Sequence, residues 1–316
     1  MTPNRRFIVS LIGTNPLPAF ITILKNCHEN TKLYLVHTEY SRNNIGSRIV
    51  AENLKRVLEK KLPGIDIDLV ECDKSDTRKI IGCINNLFNC IEESMGGSRG
   101  ELILDYTSGT KAMSAIFAEK VLYANVENLN TYVSYVDDNQ NIIMEDTNLV
   151  GESKAVQIRN VVRNLDISIE DVAEIHGYRL KKSMRECMDE NNIRYIDGAD
   201  SIVFVNNNGN SITADEVYLI DCKLAVCFKS KYLGKNEGIG RLKMELFEFK
   251  DKAEKLGGNR SIILYQSDCS DEEKKLLSRY LKRDYEFEME KRLYFVDKYE
   301  SFRDRVKNVY LIEGGN

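Results

Sequence analysis

The sequence is informative first for what it lacks. None of its apolar runs approaches the roughly 20 residues that a bilayer-spanning helix needs, which argues against a membrane protein. The opening MTPNRRFIVSLIG carries charge and then an apolar run too short for a secretory signal, so it reads as a first strand. Eight cysteines include no C-x-x-C pair, and the three histidines form no cluster, which argues against structural zinc. Cys83, Cys90, Cys222 and Cys227 lie in apolar runs, as reduced core residues of a cytoplasmic protein do. The net charge of −4 supplies no global basic field, so any nucleic-acid contact must come from local basic patches. There is no G-x-G-x-x-G fingerprint for NAD or FAD, and no Walker A loop.

What is present points to a soluble globular protein, with 42% apolar and 30% charged residues. Its 316 residues are too many for one ordinary core, so two domains are expected, 1–150 and 151–316. In the first, apolar runs at 7–12, 32–37, 65–70 and 102–104 alternate with helical patterns at 16–27, 47–61, 77–94 and 111–123. A hairpin is expected around Asp137-Asp138-Asn139. Such alternation predicts a doubly wound α/β fold with a mostly parallel sheet, which binds ligands at the carboxyl ends of its strands.

Three loops would converge there: Gly13-Thr14-Asn15, Thr38 to Ser41, and Thr107-Ser108-Gly109-Thr110-Lys111. The last stands between an apolar strand and a helix, the layout that turns backbone N–H groups and a helix N-terminus toward an anion. Lys111 adds a positive charge, and the hydroxyls add further donors. No cysteine–histidine or serine–histidine pair is evident in these loops.

IVSLIGTNPLP and LDYTSGTKAMSA resemble the two ligand loops of the CARF domain, the Rossmann-like sensor of type III CRISPR accessory proteins. The resemblance covers about 5–150. It implies binding of a cyclic oligoadenylate, cyclic tetra-adenylate by preference, across a homodimer. It also implies contacts from Gly13, Thr14, Asn15, Thr107, Ser108, Gly109, Thr110 and Lys111. Slow cleavage of the ring by this site itself is a further alternative.

In the second half, 150–174 reads as a connector of helical character, 178–189 as a basic helix, and 199–205 as a strand. Asn206 to Asn210 is a strong turn signal. Residues 216–229 alternate as a strand, a glycine-bearing loop follows at 232–240, and a helix runs on to Leu256, stopped by Gly257-Gly258. Leu219-Ile220-Asp221-Cys222-Lys223 contains acid-x-Lys, the constellation of PD-(D/E)xK nucleases. If Asp200 begins the neighbouring antiparallel strand, it lies opposite Asp221, and period two puts Asp221 and Lys223 on one face. Asp200 and Asp221 would then hold a divalent Mn or Mg ion that acidifies a water, and Lys223 would stabilise the phosphate charge.

The order of both halves resembles the CRISPR ancillary nucleases, a CARF sensor joined to a restriction-endonuclease-like α/β domain. LIDCK is similar to their I-E-C-K strand, and KNEG with the later LGG to the segment after it. The resemblance implies an activator-dependent, metal-dependent nuclease acting on DNA or RNA. The family's Asn-Glu-x-Asp is absent at Gly198-Ala199-Asp200, and Arg179, Lys181 and Lys182 stand where a helix glutamate belongs. A second register takes Asp215 as the first acid and Cys227-Phe228-Lys229 as the E-C-K triplet, which describes a degenerate, inactive site. It requires a tight turn at Asp221-Cys222-Lys223, which has none of the Gly or Asn that two-residue hairpins favour. On that ground the first register is preferred.

Overall fold

The computed structural model describes residues 5–39, 46–137, 141–149, 156–160, 165–182, 184–197, 201–232, 238–285 and 292–314. The chain divides into two units, Met1–Asp166 and Ile167–Asn316. Among the described residues no helix is long and apolar enough to cross a membrane.

The first unit runs β1 (Arg5–Leu11), α1 (Leu17–Asn26), β2 (Thr31–Thr38), α2 (Arg48–Lys61), β3 (Asp66–Cys72), α3 (Thr77–Met95), β4 (Gly100–Asp105), α4 (Lys111–Leu122), β5 (Leu129–Val136), β6 (Asn141–Asp146) and β7 (Val156–Asn160). Its sheet has the order β3-β2-β1-β4-β5-β6-β7. The first five strands in that order pair in parallel, and β6 and β7 add antiparallel edges. Residues Phe7 to Leu11 are all buried, as a parallel strand covered on both faces must be.

On one face Phe7, Val9, Leu11, Leu102 and Leu104 pack with Ile80, Ile84 and Leu87 of α3 and with Met113, Phe117 and Val121 of α4. α1 and α2 contact β1 and β2 respectively, and α2 buries the apolar stripe Ala51, Leu54, Val57 and Leu58 together with Asn53. α3 starts where Asp76 accepts from the amides of Arg78 and Lys79, and ends at Gly96 with φ +55°. The chain winds outward from β1 to β3 and returns to β4 on the other side of β1. The strand order therefore reverses between β1 and β4, which opens a crevice at their carboxyl ends.

The expected boundary at 150 falls before β7. That strand pairs with β6 and completes the first sheet, so the first unit continues to Asp166.

The second unit runs α5 (Ile169–Ile175), β8 (Tyr178–Leu180), β9 (Arg185–Met188), β10 (Arg194–Asp197), β11 (Ile202–Asn206), β12 (Ser211–Ala214), β13 (Glu216–Ile220), β14 (Lys223–Lys229), α6 (Ile239–Gly257), β15 (Ile262–Gln266), α7 (Asp271–Tyr285), β16 (Leu293–Val296) and α8 (Phe302–Gly314). A six-stranded sheet has the order β16-β15-β14-β13-β10-β9, and a three-stranded one β12-β11-β8. α8 covers one face of the larger sheet, with Phe302, Val306 and Val309 against Tyr218, Ala225, Cys227 and Leu264.

Two expectations differ here. The helix expected at 178–189 is a pair of short strands, β8 on β11 and β9 on β10. Tertiary pairing outweighs both the helix propensity of its basic residues and the helical spacing of Leu180, Met184, Cys187 and Met188. The single strand expected at 216–229 is a hairpin, with Glu216 opposite Cys227 and Ile220 opposite Lys223. The turn read at 206–210 is there: Asn206 Oδ1 accepts from the amides of Asn208 and Asn210, and Gly209 has φ +80°.

Candidate functional site

β1 and β4 are hydrogen-bonded neighbours with Ser10 opposite Asp105, so the segments that leave their carboxyl ends start side by side. Gly13 lies against Ser108 so closely that a Cβ at Gly13 would stand 2.0 Å from the Ser108 carbonyl oxygen. Ser108 Oγ donates to the carbonyl of Asn15 at 2.9 Å, and Asn15 Oδ1 accepts from the amide of Leu17 at 3.2 Å, which fixes the entry to α1. Gly109 is equally confined, since a Cβ there would come within 2.7 Å of a Leu11 methyl. Two glycines thus let the two segments meet backbone to backbone.

The structure brings Gly13, Asn15 and Thr107 to Lys111 together. Thr14 is exposed on the same loop. Thr38 is used differently: its amide donates to Ser47 Oγ at 3.0 Å and its Oγ1 accepts from the Ser47 amide at 3.1 Å, so it closes the segment that precedes α2. Tyr40 and Ser41 lie outside the described residues.

The hydroxyls of the Thr107 turn are also committed. Thr107 Oγ1 donates to Asp105 Oδ1 at 2.5 Å and accepts from the Val136 amide at 3.0 Å. Thr110 Oγ1 donates to the Lys74 carbonyl at 2.8 Å and accepts from the Met113 amide at 3.2 Å, capping α4. With Ser108 bonded to Asn15, each of the three hydroxyl protons has a protein acceptor. A hydroxyl has one proton to give. The amides of Gly109, Thr110, Lys111 and Ala112, by contrast, have no acceptor among the described residues. They and the exposed Lys111 side chain form the donor set, at the positive end of α4. The hydroxyls shape the turn, and the backbone and one ammonium face outward.

Asp105 was not among the expected site residues. It is fully buried and accepts from Ser10 Oγ at 2.8 Å, from the Thr107 amide at 3.1 Å and from Thr107 Oγ1. Burial pushes its carboxyl up, against the pull of these three bonds. The signal in the sequence was a lone acid closing the apolar run Leu102-Ile103-Leu104.

In the second unit Asp221 and Lys223 are placed otherwise than expected. Asp221 and Cys222 are the two turn residues between β13 and β14, with φ +46° and +62°. Lys223 is the first residue of β14, so Asp221 and Lys223 do not share one strand face. The apolar residues on either side force this: Val217 to Ile220 and Leu224 to Phe228 are all buried, which only two paired strands allow. Aspartate is one of the few side chains that tolerates the left-handed region, so the absence of Gly or Asn does not forbid the turn. Asp200 and the KNE of KNEG lie outside the described residues.

The hairpin places the second register's residues at its other end, roughly 20 Å along β14 at strand rise. There Asp215 Oδ2 accepts from the Lys229 amide at 2.7 Å, and the Asp215 amide donates to the Cys227 carbonyl at 3.0 Å. Cys227 is fully buried beneath α8, and burial pushes its thiol well up, with Glu216 and Asp215 adding to the effect. Glu216 accepts from the Tyr218 hydroxyl.

A divalent metal wants converging carboxylate oxygens. Here Cys227 is a protonated thiol in an apolar core, and Asp215 caps a backbone amide. Among the described residues no three His, Cys, Asp or Glu side chains are grouped to hold an ion. The donor set at this end does not fit a catalytic metal.

A further acid that the sequence did not flag, Glu245 of α6, is buried against the segment that leaves β14. It accepts from Ser230 Oγ at 2.7 Å, the Lys231 amide at 2.8 Å and the Tyr265 hydroxyl at 2.8 Å. It locks the exit of β14 to α6 and β15. Its spacing from Leu242 and Phe249 sets it on the apolar stripe of α6, the one signal the sequence offered for it.

No family model matches the chain, and no curated protein matches it. Solved structures do. Can2 from Sulfobacillus thermosulfidooxidans, in complex with cyclic tetra-adenylate, superposes with a TM-score of 0.62 at 13% identity, covering 99% of this chain and 100% of that one. Protein VC1899 from Vibrio cholerae gives 0.62 at 11%, covering 98% and 97%. Over nearly its whole length, this chain shares the fold of those two proteins.

Proposed function

We propose that the first unit binds a cyclic oligoadenylate, with cyclic tetra-adenylate the leading candidate, and that the chain is a homodimeric effector of type III CRISPR defence. The observation that carries this reading is the contact of two ligand-type loops at the β1–β4 switch point, with four adjacent amides and Lys111 left to face an anion. Such a donor set suits phosphodiester oxygens, which accept and do not donate. A small ring with two-fold symmetry suits two copies of a modest site. The likeness in fold to a protein solved with cyclic tetra-adenylate supports the same choice.

Calorimetry with cyclic tetra-adenylate, its linear counterpart and ATP tests the reading. Preferred binding of the ring is expected. Equal or absent binding of all three overturns it.

For the second unit, the geometry favours a nuclease-like fold without the two-carboxylate metal centre that the sequence led one to expect. It would serve dimerisation or recruitment. A second reading, a metal-dependent nuclease on DNA or RNA, has one observation in its favour: Asp215 and Lys229 adjoin at one end of the β13–β14 hairpin. Cleavage assays with Mn²⁺ or Mg²⁺, with and without cyclic tetra-adenylate, decide between the two.

A further inference from the structure

We propose that Asp105 is a positioning residue of the ligand site, a side chain that ties the end of β1 to the Thr107 turn and, through Thr107, to the end of β5. The inference rests on the cyclic-oligoadenylate reading for its ligand, but the geometry stands by itself.

Asp105 ends β4 and has no exposed surface. Its Oδ2 accepts from Ser10, one residue before the end of β1, whose chain continues into Gly13-Thr14-Asn15. Its Oδ1 accepts both the amide and the hydroxyl of Thr107, the first residues of the turn. With its proton given to Asp105, the Thr107 oxygen presents a lone pair to Val136 at the end of β5. One carboxylate therefore sets three strand ends, and the unpaired amides at Gly109 to Ala112 are aimed by a turn it anchors. A buried acceptor of this kind is costly to remove, because each donor it served is left without a partner away from water.

The two oxygens do different work, which makes the role testable. Both Thr107 bonds go to Oδ1, and only the Ser10 hydroxyl goes to Oδ2. An asparagine can keep its carbonyl oxygen in the Oδ1 place and put its NH₂ in the other. Ser10, being a hydroxyl, then accepts instead of donating. Asp105→Asn should thus preserve the turn, whereas Asp105→Ala should release it. A residue that merely filled space would also tolerate the isosteric Asp105→Asn, so the hydrogen bonds are read separately through Thr107→Val, which keeps the shape and removes the hydroxyl that links Asp105 to Val136.

The experiment compares wild type, Asp105→Asn, Asp105→Ala and Thr107→Val. Two readouts are used: amide hydrogen exchange at Thr107 and Val136, and affinity for cyclic tetra-adenylate. The expected result is faster exchange at both amides and at least roughly tenfold weaker binding for Asp105→Ala, with Asp105→Asn within about threefold of wild type in each. Unchanged exchange and affinity in a folded Asp105→Ala, or equal loss in Asp105→Asn, overturns the proposal. If Asp105→Ala does not fold, Thr107→Val decides alone. That variant removes one hydroxyl at a half-buried position and should speed exchange at Val136; no change there overturns the proposal. If the wild type binds no cyclic oligoadenylate, the functional reading fails, while the exchange data still decide the role of Asp105.

Discussion

A methyl group on Gly13 would stand 2.0 Å from the carbonyl oxygen of Ser108, closer than any real carbon–oxygen contact. The atom in the way is backbone, so the strain cannot be relieved by turning a side chain. Gly13→Ala should therefore push the β1 loop off the β4 turn, at a cost of about 1–3 kcal/mol in stability. Ligand affinity should fall by roughly tenfold or more. Thermal unfolding and calorimetry check the pair; an alanine variant with wild-type affinity would separate the ligand site from this contact.

Lys111→Ala removes the one cationic side chain at the start of α4 and leaves the Thr110 cap intact. A charge-assisted contact is worth about 1.5–3 kcal/mol, so affinity for the cyclic ligand should drop roughly ten- to a hundredfold. The unfolding midpoint should scarcely move, because Lys111 is exposed. Isothermal titration reads the first quantity and a thermal melt the second. Unchanged affinity would mean that the amides carry the site alone.

The hairpin also sorts the acids of the second unit. Asp221→Asn should leave any metal-dependent cleavage as it was, because Asp221 occupies a turn position that asparagine accepts readily. If cleavage exists and uses the opposite end of the hairpin, Asp215→Asn and Lys229→Ala should each lower it. Cleavage rates against Mn²⁺ concentration for the three variants give the answer. Loss of activity in Asp221→Asn alone would return the site to the turn.

Cys227→Glu, which the second register would suggest as a repair, should instead unfold the second unit. The side chain would enter the cluster of Tyr218, Ala225, Leu264, Phe302 and Val306 with no partner for its charge. A buried unpaired carboxylate belongs to the class of changes that cost more than about 4 kcal/mol. Circular dichroism and a urea titration of the full chain measure it; a stable variant that binds Mn²⁺ would contradict the packing described for β14 and α8.

His176 supplies a pH test of the same unit. Its Nδ1 lies 2.8 Å from the Val172 carbonyl, and its Nε2 is buried with no partner among the described residues. Burial lowers the imidazole from 6.5 to about 4, only partly opposed by the Val172 carbonyl. Between those values the unfolded chain takes up a proton that the folded chain refuses. Stability is thus greatest above about 6.5 and falls as pH drops toward 4, by at most about 1.4 kcal/mol per pH unit. Urea unfolding at several pH values should show that slope in wild type and lose it in His176→Gln. Parallel curves would remove His176 as the cause.

Much of the first unit was legible because its signals are local. Buried parallel strands read as apolar runs, and the two loops showed themselves by glycine, hydroxyl and lysine in short compass. What those residues do was less legible. Thr107, Ser108 and Thr110 read as donors to a ligand, but their protons go to Asp105, Asn15 and Lys74; Asp105 is two residues away, while Asn15 and Lys74 are brought in by the strand order.

The second unit was harder for a related reason. Residues 216–229 have one β-rich composition throughout, and the fold at 221–222 is decided by which apolar residues the two faces must bury. Turn propensity pointed to one strand; burial of both flanks gave two. The partners of Glu245 are legible only once α6 lies against the end of β14.

The hydroxyl of Thr110 serves two masters, the amide of Met113 in its own helix and the carbonyl of Lys74 just ahead of α3. α3 is a continuous rod of 19 residues, roughly 28 Å long. At its far end, Met95 packs against Gly100, where β4 begins. A shift of the turn is therefore loaded onto the head of that rod, or else it breaks the 2.8 Å bond. The turn that would hold a phosphate is thereby tied by one hydrogen bond to the segment that leads into α3, whose far end packs where β4 begins.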